Sequence, residues 1–189
     1  MDIDTNVLAP FSRRSFLARA GQVLAGLAIV SVPGIATAAK AQGKRTLSLY
    51  HTHTQKELTL TYAWGRTYST KAMARIQQFL RDPKTGQSHP IDPHLLDILW
   101  KLEQEMGRRG TYEVLSGFRS PATNKRLRRN SRGVAKRSLH MEGRAIDIRF
   151  PGVDLDQIRE CAIEMRTGGV GYYARSQFVH LDTGDFRTW

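Results

Sequence analysis

Leu47-Ser48-Leu49-Tyr50 and Leu58-Thr59-Leu60-Thr61-Tyr62 alternate apolar and polar positions with period two across a polar stretch, which predicts a hairpin. The period then lengthens. Ser69 or Thr70 can cap a helix through about Leu80, stopped by Asp82-Pro83, and Lys84 to Pro90 reads as a turn-rich loop. Asp92-Pro93 opens a second helix with Leu95, Leu96, Leu99, Leu102 and Met106 on one stripe, closed by Gly107 and Gly110. Thr111 to Leu115 reads as a strand, Ala122 to Arg129 as a short basic helix, and Asn130 to Lys136 as a loop. Arg144 to Phe150 alternates again, with Ala145 and Asp147 on one face and Ile146 and Ile148 on the other. Asp154 can cap a helix to about Arg166, with Ile158, Ala162 and Met165 inward, and Gly168-Gly169 ends it. Val170 to Tyr173 and Phe178 to Asp182 read as a closing hairpin. Helices are expected mainly in the first half and strands in the second, giving an α+β domain with a small, mainly antiparallel sheet and flanking helices.

The first forty residues carry a different pattern. Ser12-Arg13-Arg14-Ser15-Phe16-Leu17 precedes the apolar run Val23 to Val32, then Pro33-Gly34 and the small-residue run Ala36 to Ala39. Basic region, short apolar core and A-x-A site are the order of a secretory signal peptide, and the paired arginines resemble a twin-arginine address. The apolar run is shorter than the ~20 residues that span a bilayer, so cleavage is expected rather than a stable membrane anchor. The expected organisation is a signal peptide over 1–38 and one domain over 39–189, exported to the periplasm. Removing 1–38 takes away three Arg and two Asp, so the net charge of +12 becomes +11 and the basic character belongs to the domain. Such a charge attracts nucleic acid, anionic membrane or carboxylate-rich cell wall alike. Export argues against nucleic acid, as does the lack of interleaved aromatics in the basic run Lys125-Arg126-Leu127-Arg128-Arg129 with Arg132, Lys136 and Arg137. The single cysteine, Cys161, excludes an intramolecular disulfide and a cysteine-based zinc site, and its helical setting predicts a core position.

Ser138-Leu139-His140-Met141-Glu142-Gly143-Arg144-Ala145-Ile146-Asp147 offers an imidazole and a carboxylate seven residues apart, with Gly143 between them where the chain can turn. His180 follows far downstream on a strand-like segment. Two His and one Asp leave a tetrahedral ion one position for water, the composition of a catalytic site rather than a structural one. His51-Thr52-His53 has same-face spacing but no third partner nearby, and is read as surface or groove lining; His89 and His94 are given no role.

Taken whole, Ser138, His140, Gly143, Ala145 and Asp147 match the Ser-x-His-x-x-Gly-x-Ala-x-Asp signature of the LAS group of zinc peptidases, followed by His180 on a strand. Ser116-Gly117-Phe118-Arg119-Ser120 is similar to a second segment of that group, and the chain most resembles its murein endopeptidase branch. The resemblance, which covers Thr111 to the C-terminus, implies a hedgehog/DD-peptidase-like fold, Zn2+ on His140, Asp147 and His180, and a peptidoglycan peptide as substrate. It implies that Arg119 steadies the scissile carbonyl oxygen and contacts substrate. Ser138 either hydrogen-bonds near the site or shapes the turn. A monomer is expected. Many relatives carry Glu three residues, or His two residues, before the last zinc His; here those positions are Gln177 and Phe178. Asp182 shares a strand face with His180 and either accepts the proton or orients the imidazole, and Glu142 is a further candidate base. The leading expectation is a zinc murein endopeptidase, with a carboxypeptidase less favoured. The rival is a catalytically inactive wall-binding domain that keeps the fold.

Overall fold

The computed structural model describes residues 43–131 and 133–189, so the signal-peptide reading of 1–38 and the basic residue Arg132 lie outside the described residues. Strands β1 (Lys44–His51) and β2 (Lys56–Trp64) form the expected hairpin, pairing Leu47 with Leu60 and Leu49 with Leu58, and a two-residue strand β3 (Thr67–Tyr68) extends it. Helix α1 (Thr70–Phe79) starts where Ser69 Oγ accepts from the Ala72 amide at 3.2 Å. Helix α2 (Pro93–Glu105) starts at Asp92, whose carboxylate accepts from the His94 amide at 2.9 Å, with Pro93 preset for the first turn.

Strand β4 (Thr111–Ser116) leads into helix α3 (Pro121–Asn130), capped by Ser120 on the Thr123 amide. A single 3₁₀ turn, Leu139–Glu142, precedes β5 (Ala145–Arg149), and helix α4 (Leu155–Met165) follows. Asp154 stands at the N-cap of α4, but its side chain accepts no capping bond. Strands β6 (Gly169–Tyr173) and β7 (Phe178–Asp182) make the last hairpin, turned at Gln177 with φ +53°, and β8 (Arg187–Thr188) lies beside β6.

The eight strands form one sheet in the order β3-β2-β1-β4-β5-β7-β6-β8, antiparallel except for β1 with β4 and β6 with β8. The expected mainly antiparallel α+β architecture holds. The expected segregation does not: three strands precede the first described helix, and helices α1 to α4 fall between strands. The alternation at 47–62 was already a strand signal in the first half.

One face of the sheet carries the core. Ile146, Ile148, Val179 and Leu181 on β5 and β7, with Leu47, Leu49 and Val114, are buried in one apolar cluster with Leu95, Leu96, Leu99 and Leu102 of α2 and Ile158 and Ala162 of α4. Each fully buried leucine contributes about 1.5–3 kcal/mol relative to exposure. Cys161 is only partly buried, at the margin of this cluster. Because strand side chains alternate, burying Ile146, Ile148, Val179 and Leu181 turns Asp147, His180 and Asp182 to the opposite face.

Candidate metal centre

Three elements deliver the three candidate ligands. β5 and β7 pair so that Asp147 stands directly opposite His180 and Ala145 opposite Asp182. His140 arrives on the 3₁₀ turn, which ends at Gly143 with φ +66°. A β-carbon at Gly143 would lie 2.0 Å from the Pro90 carbonyl oxygen, and the Gly143 carbonyl accepts from the Asp92 amide at 3.0 Å. The turn needs both the left-handed backbone and the missing side chain, so this glycine fixes where His140 points.

The ligand atoms converge. His140 Nε2 lies 3.2 Å from His180 Nδ1 and 3.2 Å from Asp147 Oδ1, and His180 Nδ1 lies 2.8 Å from the same oxygen. A tetrahedral ion with donors at about 2.0–2.2 Å requires separations of roughly 3.3 Å, close to the two 3.2 Å contacts and reached by a small widening of the 2.8 Å one. All three residues are buried, and they form the metal-competent group of His, Asp, Glu and Cys side chains found among the described residues.

The far side of each imidazole is fixed as well. His140 Nδ1 donates to the Gly117 carbonyl at 2.8 Å, which leaves the Nε2 lone pair for an ion. His180 Nε2 donates to Asp182 Oδ2 at 3.0 Å, which leaves Nδ1 for the same point. Asp182 is fully buried and saturated: it also accepts from Arg187 at 2.6 and 3.1 Å and from the amides of Gly169 at 3.1 Å and Gly184 at 2.8 Å.

Electrostatics follows from these contacts. Burial holds His140 below the ordinary imidazole range and outweighs the attraction of Asp147. Burial also opposes charge on His180, but hydrogen bonds to Asp147 and Asp182 outweigh it and raise the group. Burial opposes ionisation of Asp147 and Asp182 too; the charge of His140 and its hydrogen bond win for Asp147, and the bonds from His180 and Arg187 win for Asp182, so both lie well below the usual carboxylate range. A metal ion and a proton would compete for His180 Nδ1.

A cleft of about 570 Å³ opens over the three ligands. Arg119 lines it and reaches Asp147 Oδ2 at 3.5 Å and Ser116 Oγ at 3.3 Å, while its amide donates to the His140 carbonyl at 3.1 Å. A register shift in β4 between Val114 and Ser116 sets Ser116 opposite Asp147 and starts the loop that carries Arg119. Ser138 is buried on the cleft wall at the start of the 3₁₀ turn, without a side-chain capping bond. Glu142 instead faces solvent beside Arg144, 3.4 Å away, and does not line the cleft.

The histidine pair His51 and His53 does not line this cleft either. His51 is fully buried against Phe79 of α1, not on the surface or in a groove; only His53 is exposed. His89 stacks on Phe118 and His94 bonds Asp92, both outside the ligand group.

Arg187 and Trp189 were not anticipated. Arg187 clamps Asp182, and the Trp189 ring packs 5.2 Å from that of His180, over Gly171, where a β-carbon would meet the indole at 2.7 Å. Their two-residue spacing is a strand signal, too short in isolation to separate from a loop.

An α+β sheet presents a buried His-Asp-His group that could hold a metal ion, together with an arginine, to one open cleft, an arrangement suited to a metallopeptidase. Residues 39–189 match the family described as peptidoglycan L,D-endopeptidase MepK, and the chain belongs to that family. It is 42% identical over 178 residues to the peptidoglycan L,D-endopeptidase MepK of Escherichia coli K12, covering 94% of this chain and 97% of the relative. The protein of the same name from Shigella flexneri matches to the same extent. The probable peptidoglycan L,D-endopeptidase MepK of Haemophilus influenzae is 39% identical over 146 residues, 77% of this chain and 78% of the relative. The resemblance to the murein endopeptidase branch read from the motifs is borne out. Among the described residues, no helix is long and apolar enough to cross a membrane.

Proposed function

We propose that the chain is a zinc-dependent murein endopeptidase that hydrolyses L,D peptide bonds of peptidoglycan. The observation that carries this reading is the convergence of His140, Asp147 and His180 at 2.8–3.2 Å beneath an open cleft, in a chain belonging to the peptidoglycan L,D-endopeptidase MepK family. Nitrogen and carboxylate donors at tetrahedral separations suit Zn2+. Zn2+ held by these three residues would supply an acidified water and a Lewis acid for the scissile carbonyl.

The chain's own residues supply the rest. Arg119, fixed by Asp147 and Ser116, aims a guanidinium at the cleft, where it stabilises the negative charge that develops on the carbonyl oxygen. Ser138 offers its hydroxyl to bound peptide from the wall. Of the two roles open to Asp182, orientation of His180 is favoured over proton acceptance, since both of its oxygens are already engaged by His180, Arg187 and two amides.

We further propose that residues 1–38 are a cleaved twin-arginine signal and that the domain 39–189 works in the periplasm as a monomer. Arg13-Arg14 ahead of the short apolar run supports export, and so does a family match that begins at residue 39.

The test is incubation of the purified domain with muropeptide dimers of defined L,D or D,D linkage, with and without chelator. Chelator-sensitive cleavage of the L,D dimer is expected. Retention on sacculi without cleavage would replace the enzyme by a non-catalytic wall-binding domain.

A further inference from the structure

Three arginines line the cleft over His140, Asp147 and His180: Arg119, Arg137 and Arg187. Two are occupied. Arg119 pairs with Asp147 and Arg187 with Asp182, each a buried carboxylate of the centre. Arg137 is exposed and has no ion-pair or hydrogen-bond partner among the described residues.

The wall that carries Arg137 supplies no acid to pair with it. Between Glu113 and Glu142 the chain contains no Asp or Glu and eight Lys and Arg residues. Of the basic run that follows Ser120, Arg137 alone among the described residues lines the cleft; the neighbouring wall is Leu127, Ser131, Gly133, Val134 and Ala135, none of them charged. A neutral wall with one unpaired guanidinium at a peptide-sized cleft gains little from an uncharged ligand. It gains a charge-assisted, fork-shaped pair from a carboxylate.

We propose that Arg137 forms a carboxylate-recognising subsite: it pairs with a free carboxylate of the stem peptide beside the bond that is cut, and so selects free-acid over amidated peptide. This rests on the peptidoglycan reading above, since stem peptides keep free carboxylates close to their cross-link amides. The basic residues outside the cleft, Lys125, Arg126, Arg128, Arg129 and Lys136, draw the anionic chain toward it, and Arg137 reads it.

The zinc-loaded protein and Arg137→Gln are assayed on two L,D-linked muropeptide dimers, one with that carboxylate free and one with it amidated. The parent is expected to prefer the free acid by about 10- to 100-fold in kcat/KM, the value of one charge-assisted hydrogen bond. Arg137→Gln is expected to lose that preference through a raised KM on the free acid, with zinc content retained, and Arg137→Lys to recover part of it. A preference that survives in Arg137→Gln, or an equal loss on both dimers, overturns the subsite. A parent that cleaves both dimers equally also overturns it while leaving the endopeptidase intact. A parent that cleaves neither overturns the peptidoglycan reading and this subsite with it.

Discussion

His180 donates from Nε2 to Asp182 across 3.0 Å, two residues along the same strand. The bond turns the other nitrogen toward His140 and Asp147. Asp182→Asn keeps an acceptor but loses the charge and the grip of Arg187. Zinc affinity is expected to fall by about 10- to 100-fold, as for other carboxylates behind metal-bound histidines. Activity at saturating zinc should largely return. Zinc titration followed by activity measurement checks this; a loss that excess zinc leaves untouched would reassign Asp182 to proton transfer.

Arg119 touches the outer oxygen of Asp147 while facing the cleft. Arg119→Gln is expected to lower kcat by about 10²–10³-fold, the cost of one oxyanion donor, with KM and bound zinc changed far less. Steady-state kinetics beside metal analysis separates this from damage to the centre.

Gly143 tests the local fold. Its φ of +66° and the Pro90 carbonyl 2.0 Å from a built β-carbon leave no room for alanine. Gly143→Ala is expected to cost more than about 2 kcal/mol, by backbone strain and steric displacement together, and to weaken zinc binding because His140 rides on this turn. Denaturant unfolding of metal-free protein isolates the first effect from the second.

His51 gives a pH prediction away from the centre. Burial is the main cause that lowers its pKa from 6.5 to about 4, with His53 and Arg81 adding repulsion, and its Nε2 is buried without a partner. A histidine with a depressed folded value contributes fully above the unfolded pKa, and that contribution is lost as pH falls from about 6.5 toward about 4. His51→Leu has nothing to protonate there. Its stability relative to the parent should therefore rise between pH 7 and pH 4.5; a difference that stays flat with pH would contradict the burial argument.

Much of this was legible in the sequence because spacing maps directly onto a strand. Alternation at 144–150 put Asp147 opposite in facing to Ile146 and Ile148, and the structure keeps that division across the pairing with β7. The caps at Ser69 and Asp92 were visible for the same local reason. What depended on distant partners was not legible. The clamp of Arg187 on Asp182 and the packing of Trp189 on His180 arise only once β8 lies beside β6. His51 looked like a surface residue because nothing local shows that α1 packs over it through Phe79.

Equilibrium zinc content, measured after dialysis against buffered zinc, tests the convergence of His140, Asp147 and His180 most directly. The parent should hold one zinc per chain, and His140→Ala, Asp147→Ala and His180→Ala should each fall far below that while keeping their far-UV circular dichroism. Folded variants that all retain the parent's zinc, or a folded parent that binds none, would contradict a shared metal centre.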